Sequence, residues 1–169
     1  MQPEYILTNF GEISAIFAGF SGIVEALGAR SVSELPLTSR FRFANLLVNS
    51  VSTCLLAFVP LVLGTFSMAS SLVWAWSSAT LAAFALLFLM ARAAMARRVR
   101  VAQVTLGRRW MTVLYRWGLA SICVTQCVNI IGWPLNRSPA LYVTGLFGLL
   151  ILSGLQFLLL ALDSTPAEE

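Results

Sequence analysis

Seven polar side chains interrupt otherwise apolar stretches of the sequence, and these are its candidates for chemistry. Carboxylates and amides in apolar surroundings bind ions, relay protons or pair with a cation. Because unpaired polar groups are costly away from water, we expect them to form clusters. Depth along the helices predicts two clusters, one of Glu12, Gln126 and Asn129 and the other of Glu25, Asn45, Asn49 and Arg116. The alternative is structural, with Glu25 and Arg116 as an ion pair that fixes helix register.

The residue types that most enzymes rely on are missing from the sequence. There is no histidine, which excludes the common catalytic triads and most zinc sites. Three cysteines lie inside apolar runs without a nearby carboxylate, at Cys54, Cys123 and Cys127. We therefore expect no metal, no cofactor and no enzymatic activity; a lipid-modifying enzyme that uses glutamate is the remaining enzymatic alternative.

The composition indicates that the elements carrying these residues lie in a membrane. Hydrophobic residues make up 59% of the 169 residues, and charged residues only 11%. A soluble domain carries about 25% charged residues, and a chain of this size cannot bury so much apolar surface by folding alone. We expect a single integral-membrane domain, residues 1–169.

Five segments are predicted to be transmembrane helices, which gives an all-α polytopic bundle. A bilayer core needs about 20 apolar helical residues. The predicted helices cover residues 8–29, 43–66, 70–92, 112–133 and 139–162. The first is the weakest, and the alternative is four spans preceded by a helix that lies in the membrane interface.

Arginine positions predict the orientation of these spans. With the N-terminus outside and the C-terminus inside, ten of the eleven arginines face the cytoplasm and only Arg137 faces out. Six of the ten lie in a basic connector, residues 92–109, which we expect to extend the third helix and turn at Gly107. Its arginines are expected to contact anionic lipid headgroups rather than nucleic acid, because no aromatic residues alternate with them. These arginines are Arg92, Arg97, Arg98, Arg100, Arg108 and Arg109.

One face of the first helix consists of small residues, and the opposite face of bulky ones. Small residues let two helix backbones approach closely in a membrane, so we expect this face to pack on a neighbouring helix and the bulky face to meet lipid. The small residues are Gly11, Ala15, Ala18, Gly19, Gly22 and Ala26. Lining of a pore is the alternative for this face.

The segments EISAIFAGFSGIVEALG and LPLTSRFRFANLLVNS resemble a pattern found in uncharacterised bacterial multi-span inner-membrane proteins. The shared features are a Gly/Ala-rich first helix and a second helix that begins with arginines and carries asparagines. The resemblance covers about the first 60 residues. It implies a location in the bacterial inner membrane and supplies neither an activity nor site residues.

Two functions remain open from the sequence. The first is a non-enzymatic membrane component, meaning a sensor, an assembly factor or a partner-binding subunit. The second is an oligomeric channel or transporter for a small solute or ion. The absence of an internal repeat favours the first, because many transporters are built from repeats. The expected partners are membrane lipids, further copies of the chain or another membrane protein.

Overall fold

Five α-helices contain almost all of the residues that the computed structural model describes, which are 3–27, 37–98, 106–132 and 136–163. No strand occurs within these ranges. The all-α class predicted from the sequence is therefore confirmed. In chain order the helices are α1 (Pro3–Leu27), α2 (Leu37–Gly64), α3 (Ser70–Arg98), α4 (Leu106–Ile131) and α5 (Pro139–Asp163).

Three of the helices are long and apolar enough to cross a membrane. The qualifying segments are Phe43–Gly64, Ser70–Ala94 and Pro139–Leu159, with 22, 25 and 21 residues. Each exceeds the length of about 20 residues that a bilayer core requires. Over the residues described, α1 and α4 are not among the qualifying helices.

Several helix ends differ from their predicted positions. The second helix begins at Leu37 instead of residue 43 and continues through Pro60. The fourth begins at Leu106 instead of 112, so the turn expected at Gly107 is wrong and that glycine lies in the first turn of α4. Arginines near a helix start do not interrupt the backbone hydrogen bonds, because arginine is a good helix former.

The backbone divides into two compact units, of which the first comprises α1, α2 as far as Phe58, and α5 from Leu149. Gly11 lies where a β-carbon would stand 3.3 Å from the ring of Phe58, so α1 and α2 are in close contact there. Farther along α1, Phe17 and Phe20 each meet the ring of Phe157 edge to face, with centroids 6.2 and 5.2 Å apart.

Over the side chains that the structure describes, the small face of α1 packs on a neighbour near its start and not farther along. Gly11 and Ser14 are buried, whereas Ala15 and Gly19 are exposed. A β-carbon added at Gly19 or Gly22 would meet no atom within 4 Å. The expected close packing along the whole face is therefore wrong at these positions. The buried stripe runs through Leu7, Gly11 and Ser14 instead, which are spaced three and four residues apart and so share one face.

The second unit, Val59–Gly148, is built on the contact between α3 and α4. Small residues on α3, including Ser78 and Ala85, are buried, and the Cys123 sulfur of α4 lies 3.9 Å from the Ala82 carbonyl oxygen. The Trp74 and Tyr142 rings also meet, with centroids 6.1 Å apart. The sequence of α3 carries a seam of small residues in heptad spacing, which predicts close approach of two helices, as observed here. The residues of the seam are Ser71, Ala75, Ser78, Ala82 and Ala85.

Large apolar side chains remain exposed on most of the described helices. On α2 they include Val48, Val51 and Leu55, and on α3 they include Trp76 and Leu87. Water is a poor solvent for contiguous apolar surface, and such patches mark contacts with another protein or with lipid. This exposure agrees with the presence of three helices apolar enough to cross a membrane.

Candidate functional site

The best-defined polar site lies in the second unit, around the Asn129 side chain. The Asn129 amide nitrogen donates to the Ser78 hydroxyl at 2.7 Å and to the Ser138 carbonyl oxygen at 3.2 Å. The Asn129 side-chain oxygen Oδ1 accepts from the Ser138 backbone N–H at 2.9 Å. Both amide hydrogens and the oxygen therefore have partners, and one fully buried side chain joins α3, α4 and the start of α5.

Ser138 occupies this position because it caps α5. The Ser138 hydroxyl accepts from the Leu141 backbone N–H at 3.5 Å, and Pro139 begins the helix. Serine at the cap followed by proline in the first helical position is a common helix start, since proline fixes φ and has no N–H to satisfy. The backbone of the cap is thereby held in a fixed orientation toward Asn129.

Gln126 forms a second interhelix hydrogen bond one turn away from Asn129. The Gln126 amide nitrogen donates to the Leu141 carbonyl oxygen at 2.9 Å. Gly145 makes this approach possible, because a β-carbon there would collide with the Gln126 amide. The Gln126 side-chain oxygen is buried and has no hydrogen-bond partner among the described residues.

A separate set of polar side chains is buried in the first unit. It is drawn from α1, α2 and α5, and Thr53 donates to the Asn49 carbonyl oxygen at 2.7 Å within α2. Ser14 Oγ, Asn45 Nδ2 and Ser50 Oγ are buried without a hydrogen-bond partner among the described residues. The members of the set are Ser14, Asn45, Asn49, Ser50, Thr53, Ser153 and Gln156.

The structure describes six of the seven side chains in the two predicted clusters, of which four are buried and two are exposed. Gln126 and Asn129 are buried in the second unit, and Asn45 and Asn49 in the first. Glu12 and Arg116 are exposed. Arg116 follows Tyr115, which lies on the buried stripe of α4, so its side chain projects from another side of the helix.

Most of the charged residues in the predictions fall outside the described side chains. This applies to Glu25, Arg97, Arg98, Arg108 and Arg109, and to Arg100 as a whole. The expected pair of Glu25 and Arg116 and the lipid contacts of these arginines therefore stay predictions.

Arg92 has a protein contact besides the lipid-facing role that its sequence position suggests. Its guanidinium carbon lies 4.1 Å from the centre of the Tyr115 ring, an arrangement typical of a cation–π interaction. Tyr115 is fully buried and also meets Phe88, with centroids 6.4 Å apart. The end of α3 is thus attached to the first part of α4 through an aromatic group.

Sequence reasoning missed three residues that shape these sites. Ser138 has a sequence signal, the serine–proline start of a helix. Ser78 belongs to the seam of small residues on α3, and nothing in the sequence pattern indicates that its hydroxyl binds Asn129. The sequence position of Arg137 indicates only the orientation of the spans, yet its Nε donates to the Ile130 carbonyl oxygen at 3.1 Å and caps α4.

The chemistry of these sites is hydrogen bonding between neutral groups. In the described part of the chain no three His, Cys, Asp or Glu side chains are grouped closely enough to hold a metal ion. No protein-family model, curated protein or solved structure matches the chain.

Proposed function

We propose that the chain is a multi-pass protein of the bacterial inner membrane, with five spans, the N-terminus outside and the C-terminus inside. Three helices that are long and apolar enough to cross a membrane support this arrangement. The distribution of arginines supports the orientation, because positively charged loops remain on the cytoplasmic side. The resemblance of the first 60 residues to bacterial inner-membrane proteins points to the same location.

Within that membrane, the chain acts as a non-enzymatic component, meaning a sensor, an assembly factor or a partner-binding subunit, in which the buried polar side chains have a structural role. The observation that carries this conclusion is the use of the amides on α4. Asn129 and Gln126 direct their donors to groups on neighbouring helices, which ties the helices of the second unit together. Donor groups used in this way specify helix packing and are not available to line a polar path.

Cysteine labelling tests the proposed orientation. In a chain whose three native cysteines are replaced by serine, we expect Asn136→Cys to react with a membrane-impermeant maleimide added to intact spheroplasts. Arg100→Cys should react only after the membrane is permeabilised, since the positively charged connector stays in the cytoplasm. Gln2→Cys distinguishes five spans from four, because it is labelled from outside only when the first helix crosses the membrane. Labelling of Arg100→Cys in intact spheroplasts would overturn the orientation.

A channel is the second candidate function, and the buried polar set of the first unit favours it. Ser14 Oγ, Asn45 Nδ2 and Ser50 Oγ have no partner among the described residues. Buried polar atoms without protein partners are commonly satisfied by water. Water at these atoms would give the first unit a polar interior, as an ion path requires.

Ion flux into proteoliposomes separates the two functions. Under the structural proposal, liposomes that contain the wild-type chain take up potassium or protons no faster than empty liposomes, and Glu12→Gln changes nothing. A channel would give flux above that background, and Asn45→Leu would reduce it by removing polar atoms from the interior. Thr144→Ala is the matched control, because Thr144 is exposed and bonds only within its own helix. Flux that Asn45→Leu abolishes and Thr144→Ala preserves would contradict the structural proposal.

A further inference from the structure

An open surface cavity of about 320 Å³ lies where α4 ends and α5 begins, beside the start of α3, and its polar side chains are exposed. The described residues that line it are Ser71, Ile131, Gly132, Asn136 and Arg137. They supply a guanidinium, a hydroxyl and an amide, and none of them is acidic.

One hydrogen bond holds the Arg137 side chain at this cavity, and its stem lies close to Gly132. Its Nε donates to the Ile130 carbonyl oxygen at 3.1 Å. Its Cγ lies 3.3 Å from the position that a β-carbon on Gly132 would occupy, and Gly132 has a φ of 78°. Glycine adopts this left-handed conformation readily at the end of a helix, and its bare backbone leaves space for the arginine stem.

Holding Arg137 through Nε leaves its two terminal nitrogens for another partner. Among the described residues, Nε is the only group of Arg137 with a hydrogen-bond partner. The terminal nitrogens of a guanidinium form a planar fork that matches the oxygens of a phosphate or carboxylate. An arginine whose side chain is already fixed also loses less conformational entropy when it binds such a group.

Ser71 brings a hydroxyl and the start of α3 to the same cavity. Ser70 begins the helix, and the Ala69 carbonyl oxygen accepts from the Leu72 and Val73 backbone N–H groups at 2.8 and 3.1 Å. Because these two N–H groups are already bonded within the chain, the start of α3 contributes only the partial positive charge of the helix end, which adds to the charge of Arg137. Guanidinium, hydroxyl and helix start therefore all favour an oxyanion.

We propose that this cavity binds a phosphate-type oxyanion through Arg137 and Ser71. Whether a lipid can supply this ligand rests on the proposed function, which locates the chain in a membrane. In the proposed orientation the cavity faces the outer side of the membrane, so the phosphate of an anionic lipid headgroup is one source. Free phosphate in solution has the same chemistry and is the other.

The test uses the purified full-length chain in neutral detergent, with phosphatidylglycerol, phosphatidylcholine and inorganic phosphate as separate probes. Native mass spectrometry measures the bound lipids, and isothermal titration calorimetry measures inorganic phosphate. We expect Arg137→Gln to weaken binding about tenfold and Ser71→Ala about threefold, because the first removes charge-assisted hydrogen bonds and the second a neutral one. Arg137→Lys should fall between wild type and Arg137→Gln, since lysine keeps the charge and loses the fork.

Arg116→Gln is the matched control, because Arg116 is an exposed arginine on α4 that does not line the cavity. Selective loss of phosphatidylglycerol in the Arg137 variants supports the lipid source, and selective loss of inorganic phosphate supports the free one. Equal losses in Arg137→Gln and Arg116→Gln overturn the proposal, as does the absence of binding by every probe.

Folding and orientation are controlled separately. If Arg137→Gln lowers the midpoint temperature of thermal unfolding, its weaker binding could reflect lost stability. Ser71→Ala then tests the proposal instead, because Ser71 takes no part in capping α4. Unchanged binding in Ser71→Ala overturns the proposal. Two results together would separate the site from the orientation. If binding depends on Arg137 but Asn136→Cys is labelled only from the cytoplasmic side, the oxyanion site is retained and the proposed orientation is refuted.

Discussion

Replacing Asn129 with alanine is expected to lower the free energy of unfolding by about 2–4 kcal/mol. The side chain makes three hydrogen bonds, to the Ser78 hydroxyl and to the backbone N–H and carbonyl of Ser138. Interhelix hydrogen bonds in membrane proteins contribute on average about 0.6 kcal/mol each, which alone accounts for the lower value. Truncation also leaves the partner groups unsatisfied in a buried site, and this raises the cost. Unfolding by sodium dodecyl sulfate in mixed micelles measures the change.

Thr144→Ala controls for the loss of a hydrogen-bonding side chain. Thr144 is exposed, and its hydroxyl donates to the Ala140 carbonyl oxygen of its own helix at 2.9 Å. Its removal is expected to change stability by less than about 0.5 kcal/mol. Ser78→Ala should lie between the two, because it removes one of the three bonds and leaves the Ser138 backbone paired. Equal stability of the Asn129 and Thr144 variants would show that the interhelix bonds contribute little.

The sequence predicts which residues are apolar enough for a membrane and which helix faces they share. Hydropathy and helical spacing are local properties, so the helices and the seam on α3 follow from them. The partner of Asn129 does not follow, since Ser78 lies 51 positions away in the chain and many hydroxyls have similar surroundings. Only the packing of α3 on α4 selects that serine.

The first helix shows a second limit of sequence reasoning. A wheel of small residues predicts a face on which another helix can pack, but it does not say how much of the face is used. Gly11 contacts Phe58, whereas Gly19 has open space around it. The difference arises from where the neighbouring helix lies along α1, which depends on the packing of the unit as a whole.

Gly145→Ala is expected to lower the free energy of unfolding by about 1–3 kcal/mol, the usual cost of inserting a methyl group into a filled core. The new β-carbon would collide with the Gln126 amide and lie 2.8 Å from a Leu81 methyl group. A glutamine side chain normally has the freedom to move aside. Here any movement breaks its hydrogen bond to the Leu141 carbonyl oxygen, so the clash and the lost bond add to each other. The same titration in mixed micelles measures the effect.

Gly154→Ala provides the control on the same helix, because a β-carbon at Gly154 meets no atom within 4 Å. Alanine has the higher helix propensity, so this variant should be unchanged or more stable by up to about 1 kcal/mol. Gly145→Ala combined with Gln126→Ala completes a double-mutant cycle. If the amide is the main obstacle, its removal relieves the clash and the two substitutions are non-additive by about 1–2 kcal/mol. Strict additivity would identify Leu81 as the obstacle and refute the role assigned to Gly145, which is to admit the Gln126 side chain between α4 and α5.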